Sequence, residues 1–311
     1  MRELSKRDIL KICHLYYQEE KTQEEISRLF GVSRFKISRK LKEARKCGFV
    51  TITVNDPQRD LTELETALSN KFDLDQAIVV KVNEFSEKTD IDQVAEAGAD
   101  YLRDVIDNYR ILGVTWGYTV SHVVNHLKPI EVKNLTLVQI GGSLGTIEGT
   151  DNNVLTMMLG QKLGARAHLI PAPVIVRNRS IRNTLFKEKK IQQSLKIAQK
   201  ADLVLFGVGM IGSEGLLWRS GFLTMNDAAK LKRAGAVGAI CGRFFDAGGK
   251  KCWDELDDRT IGLSLEELKA IKHKICIVVG PRKKSAILGA LRGGLINVLV
   301  TDESTAASLL K

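Results

Sequence analysis

From about residue 75 onward, short apolar segments alternate with segments of helical periodicity, and this alternation is the strongest constraint on the fold. Strands buried on both faces read as near-continuous apolar runs, and the helices between them cover the faces of a parallel sheet. The predicted strands are residues 77–82, 111–114, 135–140, 203–208, 235–240, 275–279 and 298–300. The predicted helices of this region include residues 90–107, 118–127, 151–163, 226–233 and 284–292. We therefore expect an α/β fold class, with a doubly wound, mostly parallel sheet.

The residues before this region predict three helices, of which the second and third form a helix-turn-helix. Thr22 begins the second helix, because Glu25 follows three residues later as in a capping box. Gly31 ends this helix, and Ser33 caps the third helix, which runs to about Arg45. The apolar positions expected to hold the two helices together are Ile26, Leu29, Val32, Ile37 and Leu41.

Three segments follow from these patterns. Residues 1–55 are expected to be a small all-α helix-turn-helix domain, with residues 49–54 alternating like the strand of a winged type. Residues 56–74 are expected to be a linker helix, and residues 75–311 a ligand-binding and oligomerisation domain. One stripe of the linker helix, which either packs or dimerises, carries Leu61, Leu64 and Leu68.

Charge is concentrated in the N-terminal segment. Residues 1–55 hold 13 Lys and Arg against 7 Asp and Glu, whereas the remainder holds 34 against 30, within a total net charge of +10. A basic module on a nearly balanced body indicates a polyanion as the partner of that module alone. No apolar run approaches a membrane span, and five scattered cysteines without a CxxC pair favour reduced thiols in the cytoplasm.

The predicted third helix has the composition of a DNA-reading helix. Its exposed face is expected to enter the major groove, where Arg34 and Arg39 can pair with guanine and neighbouring lysines hold phosphates. Backbone N–H groups at the start of the second helix can also reach a phosphate. The alternative is a basic, solvated helix in a protein-binding module. The predicted DNA-binding residues are Thr22, Gln23, Ser33, Arg34, Phe35, Lys36, Ser38, Arg39, Lys40 and Arg45.

Four predicted strands of the larger region end in turns rich in Gly, Ser or Thr. In an open α/β sheet, ligands bind outside the carboxyl ends of the strands. The turns at residues 113–119, 141–145, 207–209 and 280–285 should therefore meet at one edge and form a ligand cleft. The first turn opens a helix and has the character of a phosphate cradle, and a lysine of the last could neutralise an anion. An ordinary strand-to-helix turn is the alternative for any one of them.

Three further patterns are less specific. Residues 207–212 spell GxGxxG, but they lie deep inside the domain and a poor helix start follows, so we expect no dinucleotide cofactor. Arg243 and Asp246 flank an aromatic pair and either bind each other or contact phosphate and a sugar hydroxyl. His122 and His126 lie four residues apart but lack the other ligands of a metal site, and no catalytic acid/base pair is evident.

Taken together, these segments resemble the SorC/DeoR-type sugar-responsive bacterial transcriptional regulators over almost the whole chain. The similar stretches are residues 22–26, 31–34 and 37–44 in the helix-turn-helix, and Gly113-Val-Thr-Trp-Gly, Pro171-Ala-Pro, residues 237–246, 258–262 and 297–303 in the body. The resemblance implies a body related to sugar-phosphate isomerases. It also implies a homo-oligomer, dimer or tetramer, that binds operator DNA and a phosphorylated sugar effector.

The resemblance also implies the positions of the effector site. The family's phosphate loop falls on Thr115, Trp116, Gly117 and Thr119, its glycine loop on Gly141, Gly142 and Ser143, and its anion-binding lysine on Lys283. With the residues considered above, the predicted effector-binding set is Thr115, Trp116, Gly117, Thr119, Gly141, Gly142, Ser143, Gly207, Gly209, Arg243, Asp246 and Lys283.

Three departures from the family pattern affect what can be carried over. Phe35-Lys36 stands where many members carry Pro-Thr, so their base preference does not transfer. The family's deoxyribose-phosphate regulator has a Schiff-base lysine at the position of Gly141, so a covalent aldehyde adduct is not expected there. Arg177 and Arg179 add positive charge after the Pro-Ala-Pro motif, which either favours a more anionic ligand or belongs to the surface.

We therefore predict a cytoplasmic, DNA-binding regulator, a repressor of a carbohydrate-metabolism operon, without catalytic activity, metal or cofactor. One alternative is a sugar-phosphate isomerase or deaminase fused to a DNA-binding module, and another is a DNA-binding protein without an effector. Effector binding is expected to change the spacing of paired DNA-reading helices, with the leucine stripe of the linker helix as a candidate relay.

Overall fold

The computed structural model describes residues 4–50, 59–82, 88–145 and 152–311, and it divides into two compact units. The first unit is Met1–Pro57 and the second is Gln58–Lys311. None of the described helices combines the length and the apolar character that a membrane crossing requires.

Three helices make up the described part of the first unit, and their boundaries follow from local capping. The helices are α1 (Lys6–Tyr17), α2 (Gln23–Phe30) and α3 (Arg34–Lys46). Each begins after a Ser or Thr whose side-chain oxygen accepts a backbone N–H of the first turn. Of the predicted strand at 49–54, residues 51–54 lie outside the described residues, and Phe49 and Val50 are not in a strand.

The small core of this unit is formed by all three helices. Its buried side chains are Leu4, Ile9, Ile12, Cys13, Leu15, Ile26, Phe30, Ile37, Leu41 and Ala44. Leu29, which the sequence pattern placed between α2 and α3, is instead 63% exposed. The neighbouring Phe30 occupies the buried position, so that prediction was one residue off.

The second unit is built on a seven-stranded sheet in which every neighbouring pair is parallel. Its strands are β1 (Gln76–Val80), β2 (Ile111–Val114), β3 (Thr136–Gln139), β4 (Arg166–His168), β5 (Leu203–Phe206), β8 (His273–Ile277) and β9 (Val298–Asp302). The order across the sheet is β1-β9-β8-β5-β2-β3-β4. The predicted α/β class with a mostly parallel sheet is confirmed.

Helices cover both faces of this sheet and enclose two apolar clusters. The helices are α4 (Arg59–Phe72), α5 (Asp90–Val105), α6 (Tyr118–His126), α7 (Asn152–Leu163), α8 (Arg179–Leu185), α9 (Lys189–Ala198), α10 (Leu216–Arg219), α11 (Met225–Arg233), α12 (Asp254–Asp257), α13 (Leu265–Ala270), α14 (Lys284–Arg292) and α15 (Glu303–Leu310). The predicted start of α7 at residue 151 lies outside the described residues.

One predicted strand belongs to a different sheet. Residues 235–240 were expected to join the parallel sheet, but they contribute β6 (Gly238–Ile240), which pairs antiparallel with β7 (Arg243–Phe245). The two residues that connect β6 and β7, Cys241 and Gly242, have positive φ angles of 52° and 78°. This two-residue connection with left-handed backbone suits a tight hairpin, whereas a parallel connection needs a much longer crossover.

Helix α4, the predicted linker helix, packs on the body. Leu61 and Leu68 are buried in the core, and Leu64 packs against it. The Lys71 ammonium donates to the carbonyls of Leu309 and Leu310 at 3.1 and 2.9 Å. The apolar stripe of α4 is therefore used for packing within this unit.

The strand order places a topological switch point beside β2. The chain proceeds from β2 to β3 and β4 on one side, then returns to β5 and β8 on the other. Loops that follow β2 and β5 therefore leave the sheet in opposite directions and open a crevice at its carboxyl edge.

Candidate DNA-reading helix and effector cavity

The turn between α2 and α3 fixes how the third helix is presented. Gly31 ends α2 with a φ of 63°, a left-handed conformation that favours glycine. The hydroxyl of Ser33 then accepts the backbone N–H of Lys36 at 3.3 Å. Thr22 and Glu25 form the predicted capping box of α2, and hydrogen bonds from the Thr22 backbone and hydroxyl lower the pKa of Glu25. These local interactions hold a helix-turn-helix.

One face of α3 is buried and the opposite face is open. Ile37, Leu41 and Ala44 pack into the core of the first unit. Arg34 and Arg39 are exposed, and Phe35 is 81% exposed. Ser33 is also exposed, whereas Gln23, Lys36, Ser38 and Lys40 are partly exposed. The predicted DNA-binding residues of α3 therefore lie away from the packed face.

Two of the predicted phosphate contacts already have intramolecular partners. The Lys40 ammonium lies 2.8 Å from a carboxylate oxygen of Glu43. The Arg45 Nε donates to the Tyr17 hydroxyl at 2.7 Å. Surface contacts of this kind are weak, so each cation can still turn towards a phosphate.

A cavity of about 250 Å³ opens at the carboxyl edge of the parallel sheet, at the switch point beside β2. Segments that follow β2, β5 and β8 meet here, together with α10 and the β6–β7 hairpin. Its lining residues are Trp116, Gly117, Tyr118, Thr119, Gly207, Val208, Gly209, Met210, Glu214, Gly215, Leu216, Leu217, Trp218, Arg219, Ala239, Cys241, Phe244 and Lys283.

The start of α6 supplies free donors to this cavity. No side chain caps the helix, whose N-cap is Gly117 with a φ of 154°. The N–H of Ser121 is bonded to the carbonyl of Gly117, so the earlier N–H groups of the first turn have no helical acceptor. Uncapped N–H groups and the positive end of the helix dipole together favour an anion.

Lys283 brings a cation to the same cavity. It ends a short 3-10 turn after Gly280, whose N–H is held by the side chains of Asp302 and Thr305 at 3.0 and 2.9 Å. Burial lowers the pKa of the Lys283 ammonium, and the nearby Cys276 partly opposes this shift. Within the described ranges, no carboxylate pairs with Lys283. The site therefore combines a half-buried cation with uncapped backbone donors.

Comparison with known proteins shows which family this chain resembles in sequence and in structure. Residues 56–311 match the family described as "Putative sugar-binding domain". The deoxyribonucleoside regulator of Bacillus subtilis is 33% identical over 306 residues, which is 97% of this chain and 96% of that protein. The sorbitol operon regulator of Klebsiella pneumoniae is 32% identical over 309 residues, or 98% of each chain. The crystal structure of full-length SorC from that organism superposes with a TM-score of 0.75 at 30% identity, covering 98% of both chains.

The chain belongs to the SorC/DeoR-type sugar-responsive transcriptional regulators. The likeness to full-length SorC extends over the N-terminal helices and the seven-stranded sheet of this chain, because it covers 98% of both chains.

In this SorC/DeoR-type chain, the cavity gathers six of the predicted effector residues. They are Trp116, Gly117, Thr119, Gly207, Gly209 and Lys283. Thr115 is buried just before them, and its hydroxyl donates to the carbonyl of Trp116 at 3.3 Å.

The glycine loop, residues 141–143, lies next to Cys241, which is one of the lining residues of the cavity. A Cβ on Gly141 would lie 3.5 Å from the Cys241 sulfur, and a Cβ on Gly142 would lie only 2.6 Å from the carbonyl oxygen of Pro173. The Ser143 hydroxyl accepts the N–H of Gly145 at 3.0 Å. None of the three glycine-loop positions lines the cavity. Burial raises the pKa of Cys241 to about 12, so the thiol that faces Gly141 is neutral at physiological pH.

Arg243 was predicted as an effector contact, and the structure corrects this. The side chain is 3% exposed and forms an ion pair with Asp257 at 2.8 Å. Its remaining N–H groups donate to backbone carbonyls of Asp257, Thr260, Gly262 and Leu263. All five donors of the guanidinium are engaged inside the protein, so none is left for a phosphate.

Asp246 was predicted to contact a sugar hydroxyl or to pair with Arg243, and the structure supports neither contact. One carboxylate oxygen accepts the N–H groups of Gly248 and Lys250, each at 2.9 Å, and thereby organises the turn after β7. Asp246 does not line the cavity.

The aromatic side of the cavity was missed by the sequence reasoning. Trp218 on α10 meets Phe244 on β7 edge to face, with ring centroids 6.0 Å apart. The indole N–H groups of Trp116 and Trp218 are buried and have no hydrogen-bond partner within the described part of the chain. Residues 207–212 do not lead into a helix, and Gly209 instead pairs with Ala239 of β6.

The carboxylate of Asp92, in the first turn of α5, is hydrogen-bonded to two histidines of α6. Asp92 Oδ1 accepts from His122 Nδ1 at 2.7 Å and from His126 Nε2 at 3.0 Å. Hydrogen bonds from the Thr89 hydroxyl, then from His126 and His122, hold the pKa of Asp92 far below its usual range. The contacts tie the N-terminus of α5 to α6, the helix that begins at the cavity.

Proposed function

We propose that this transcriptional regulator binds double-stranded operator DNA through the exposed face of α3 and responds to a phosphorylated sugar held in the cavity. The DNA proposal is supported by the position of Arg34 and Arg39 on the face opposite the core. Lys36, Lys40 and Arg45 would contact phosphates, and the Gln23 N–H at the start of α2 would add a backbone donor, whereas the Thr22 N–H is already bonded to Glu25.

The observation that carries the effector proposal is the coincidence of Lys283 with the uncapped start of α6 in one cavity. A half-buried cation without a carboxylate partner is costly, and a phosphate would offset that cost while accepting the free N–H groups of α6. The aromatic side of the cavity supplies an apolar surface for the carbon skeleton of a sugar.

The bound sugar is proposed to be held without a covalent bond. Gly141 has no side chain to form a Schiff base, and Cys241 opposite it is a protonated, buried thiol. Lys283 contributes charge alone, since electrostatic capture of a phosphate requires its protonated form.

The direct test is a thermal-shift screen of phosphorylated sugars, each beside its unphosphorylated parent. We expect the phosphorylated member to raise the Tm of the wild type, and Lys283→Met to lose most of that shift. Lys284→Met is the matched control, because Lys284 is the adjacent lysine and does not line the cavity. Equal shifts by sugars and their phosphates, or equal loss in both variants, would refute the phosphate site.

Control of transcription is proposed to act through repression in the cytoplasm, by a dimer or tetramer whose paired helices read two half-sites. Sedimentation of the full chain with and without the effector tests the assembly. Operator binding that is unchanged by the effector at every concentration would refute the proposed control.

We further propose that the cavity binds without catalysing isomerisation or deamination. Proton transfer at a sugar carbon needs a positioned acid or base, and Glu214 is the only carboxylate that lines the cavity in the described ranges. Product formation from the sugar phosphates that bind in the screen, abolished by Glu214→Gln, would instead support the enzyme alternative.

A further inference from the structure

Phe35 is the most exposed of the large apolar side chains that the structure describes. It is the second residue of α3, while the buried face of that helix is formed by Ile37, Leu41 and Ala44. Phe35 therefore contributes nothing to the core of the first unit. The aromatic ring exposes apolar surface to water at a cost in free energy, and the groups beside it on α3 decide what kind of contact would relieve that cost.

The surroundings of Phe35 restrict the chemistry of that contact. Ser38 and Arg39 follow at the i+3 and i+4 positions, so the three side chains share one helix face. Leu10 and Leu29, two other exposed apolar residues of this unit, lie on α1 and α2. On α3 the ring is accompanied by polar and cationic groups, whereas a protein-docking surface would have an apolar core.

We propose that Phe35 is a specificity-determining residue that contacts the C5-methyl group of a thymine in the major groove. This inference rests on the proposed DNA-binding function. Thymine is the base that presents a methyl group in that groove, beside the hydrogen-bonding atoms that Ser38 and Arg39 can read. An apolar ring next to a guanidinium therefore matches the mixed chemistry of adjacent base pairs.

The spacing along α3 predicts where the thymine lies. Phe35 and Arg39 are four residues apart, which is about 6 Å along a helix axis at a rise of about 1.5 Å per residue. Base pairs rise by about 3.4 Å, so contacts made by side chains about 6 Å apart are separated by at most about two base pairs, and by fewer where the helix is inclined to the DNA axis. The thymine should lie within about two base pairs of a guanine read by Arg39.

The experiment begins with selection of a preferred duplex from a random library by the full chain. Each thymine in the selected site is then replaced singly by deoxyuridine, which lacks only the methyl group. For wild type, we expect one thymine per half-site whose replacement weakens binding about fourfold, the effect of losing one buried methyl. Phe35→Ala should lose a similar factor on the thymine duplex and become indifferent to the replacement, while Phe35→Leu retains part of the discrimination.

Leu29→Ala is the matched control, because it removes another exposed apolar side chain of the same unit from α2. This variant should keep the full wild-type sensitivity to deoxyuridine. If every deoxyuridine replacement is tolerated, or if Phe35→Ala remains as sensitive as wild type, the thymine contact is refuted and DNA binding itself stands. If the full chain selects no sequence and shows no salt-dependent affinity for duplex DNA, the proposed DNA-binding function fails, and this inference fails with it.

Discussion

Replacing Arg243 by Met should destabilise the ligand-binding unit by about 4 kcal/mol. The guanidinium donates to four backbone carbonyls and to the carboxylate of Asp257, at distances between 2.7 and 3.2 Å. Methionine preserves the apolar stem of the side chain but supplies no donor. Asp257 and the carbonyls of residues 257–263 would then be left without these bonds.

The magnitude follows from what remains buried after the substitution. Removing one member of a buried ion pair costs about 3–5 kcal/mol, and each stranded buried acceptor costs about 1–3 kcal/mol. These costs do not simply add, because all the lost hydrogen bonds belong to one side chain. Water can also reach Asp257, whose side chain is 17% exposed, and this reduces the cost of leaving its carboxylate without Arg243. An overall loss of about 4 kcal/mol is a large share of the 5–15 kcal/mol that stabilises a typical domain.

Tryptophan fluorescence during urea unfolding measures this loss in the relevant unit. The chain has three tryptophans, Trp116, Trp218 and Trp253, and all lie within Gln58–Lys311. Arg292→Met is the control, because the Arg292 guanidinium makes a single exposed hydrogen bond to Ala247 at 3.3 Å, and its loss should cost within about 0.5 kcal/mol. If Arg243→Met stayed within about 1 kcal/mol of wild type at an unchanged urea dependence, the structural role assigned to Arg243 would be wrong.

Two other substitutions test the frame around the cavity. Gly142→Ala should destabilise the same unit by about 1–3 kcal/mol in urea, because its Cβ would lie 2.6 Å from a backbone oxygen of Pro173; a neutral result would contradict the close approach. Asp92→Asn should cost about 1–2 kcal/mol at pH 7, since the carboxylate accepts bonds from His122 and His126. The pKa of Asp92 is lower in the folded state than in the unfolded state. The stability that the carboxylate contributes is therefore fully present above the unfolded pKa of about 3.9, and it is lost progressively as the pH falls from there towards the folded-state pKa. Urea titrations should therefore show the two proteins converging below about pH 4, and a constant difference down to pH 2 would refute this coupling.

Much of the fold could be predicted because its signals are local. The starts of α2 and α3 depend on Thr22 and Ser33, whose oxygens cap N–H groups three residues away. Strand β2 and helix α14 have the predicted bounds, since a short apolar run and a helical period identify them directly. The burial of Leu29 was predicted wrongly, because on α2 the exposed position of Leu29 is directly followed by the buried position of Phe30.

The candidate cavity was predictable to the extent that parallel strands end at the same edge. This rule indicated that the turns containing Gly117, Gly207 and Lys283 would meet, although they are far apart in the sequence, and the family resemblance singled out Lys283 among the lysines of its turn. The aromatic side was not predictable. Trp218 and Phe244 meet only because the β6–β7 hairpin folds over α10, and no sequence period relates those segments.

The amino-acid sequence by itself determined the helix-turn-helix, its cationic third helix and the parallel direction of the large sheet, because capping and charge act over a few residues and strands alternating with helices are typical of parallel pairing. Tertiary structure decided which polar groups face the cavity. Arg243 and Asp246 have the composition of ligand contacts, but the Arg243 donors are used by backbone carbonyls and the Asp257 carboxylate, and one Asp246 oxygen accepts two backbone N–H groups of its own turn. A polar side chain binds a ligand only where folding leaves its hydrogen-bonding capacity unused, and that depends on neighbours remote in sequence.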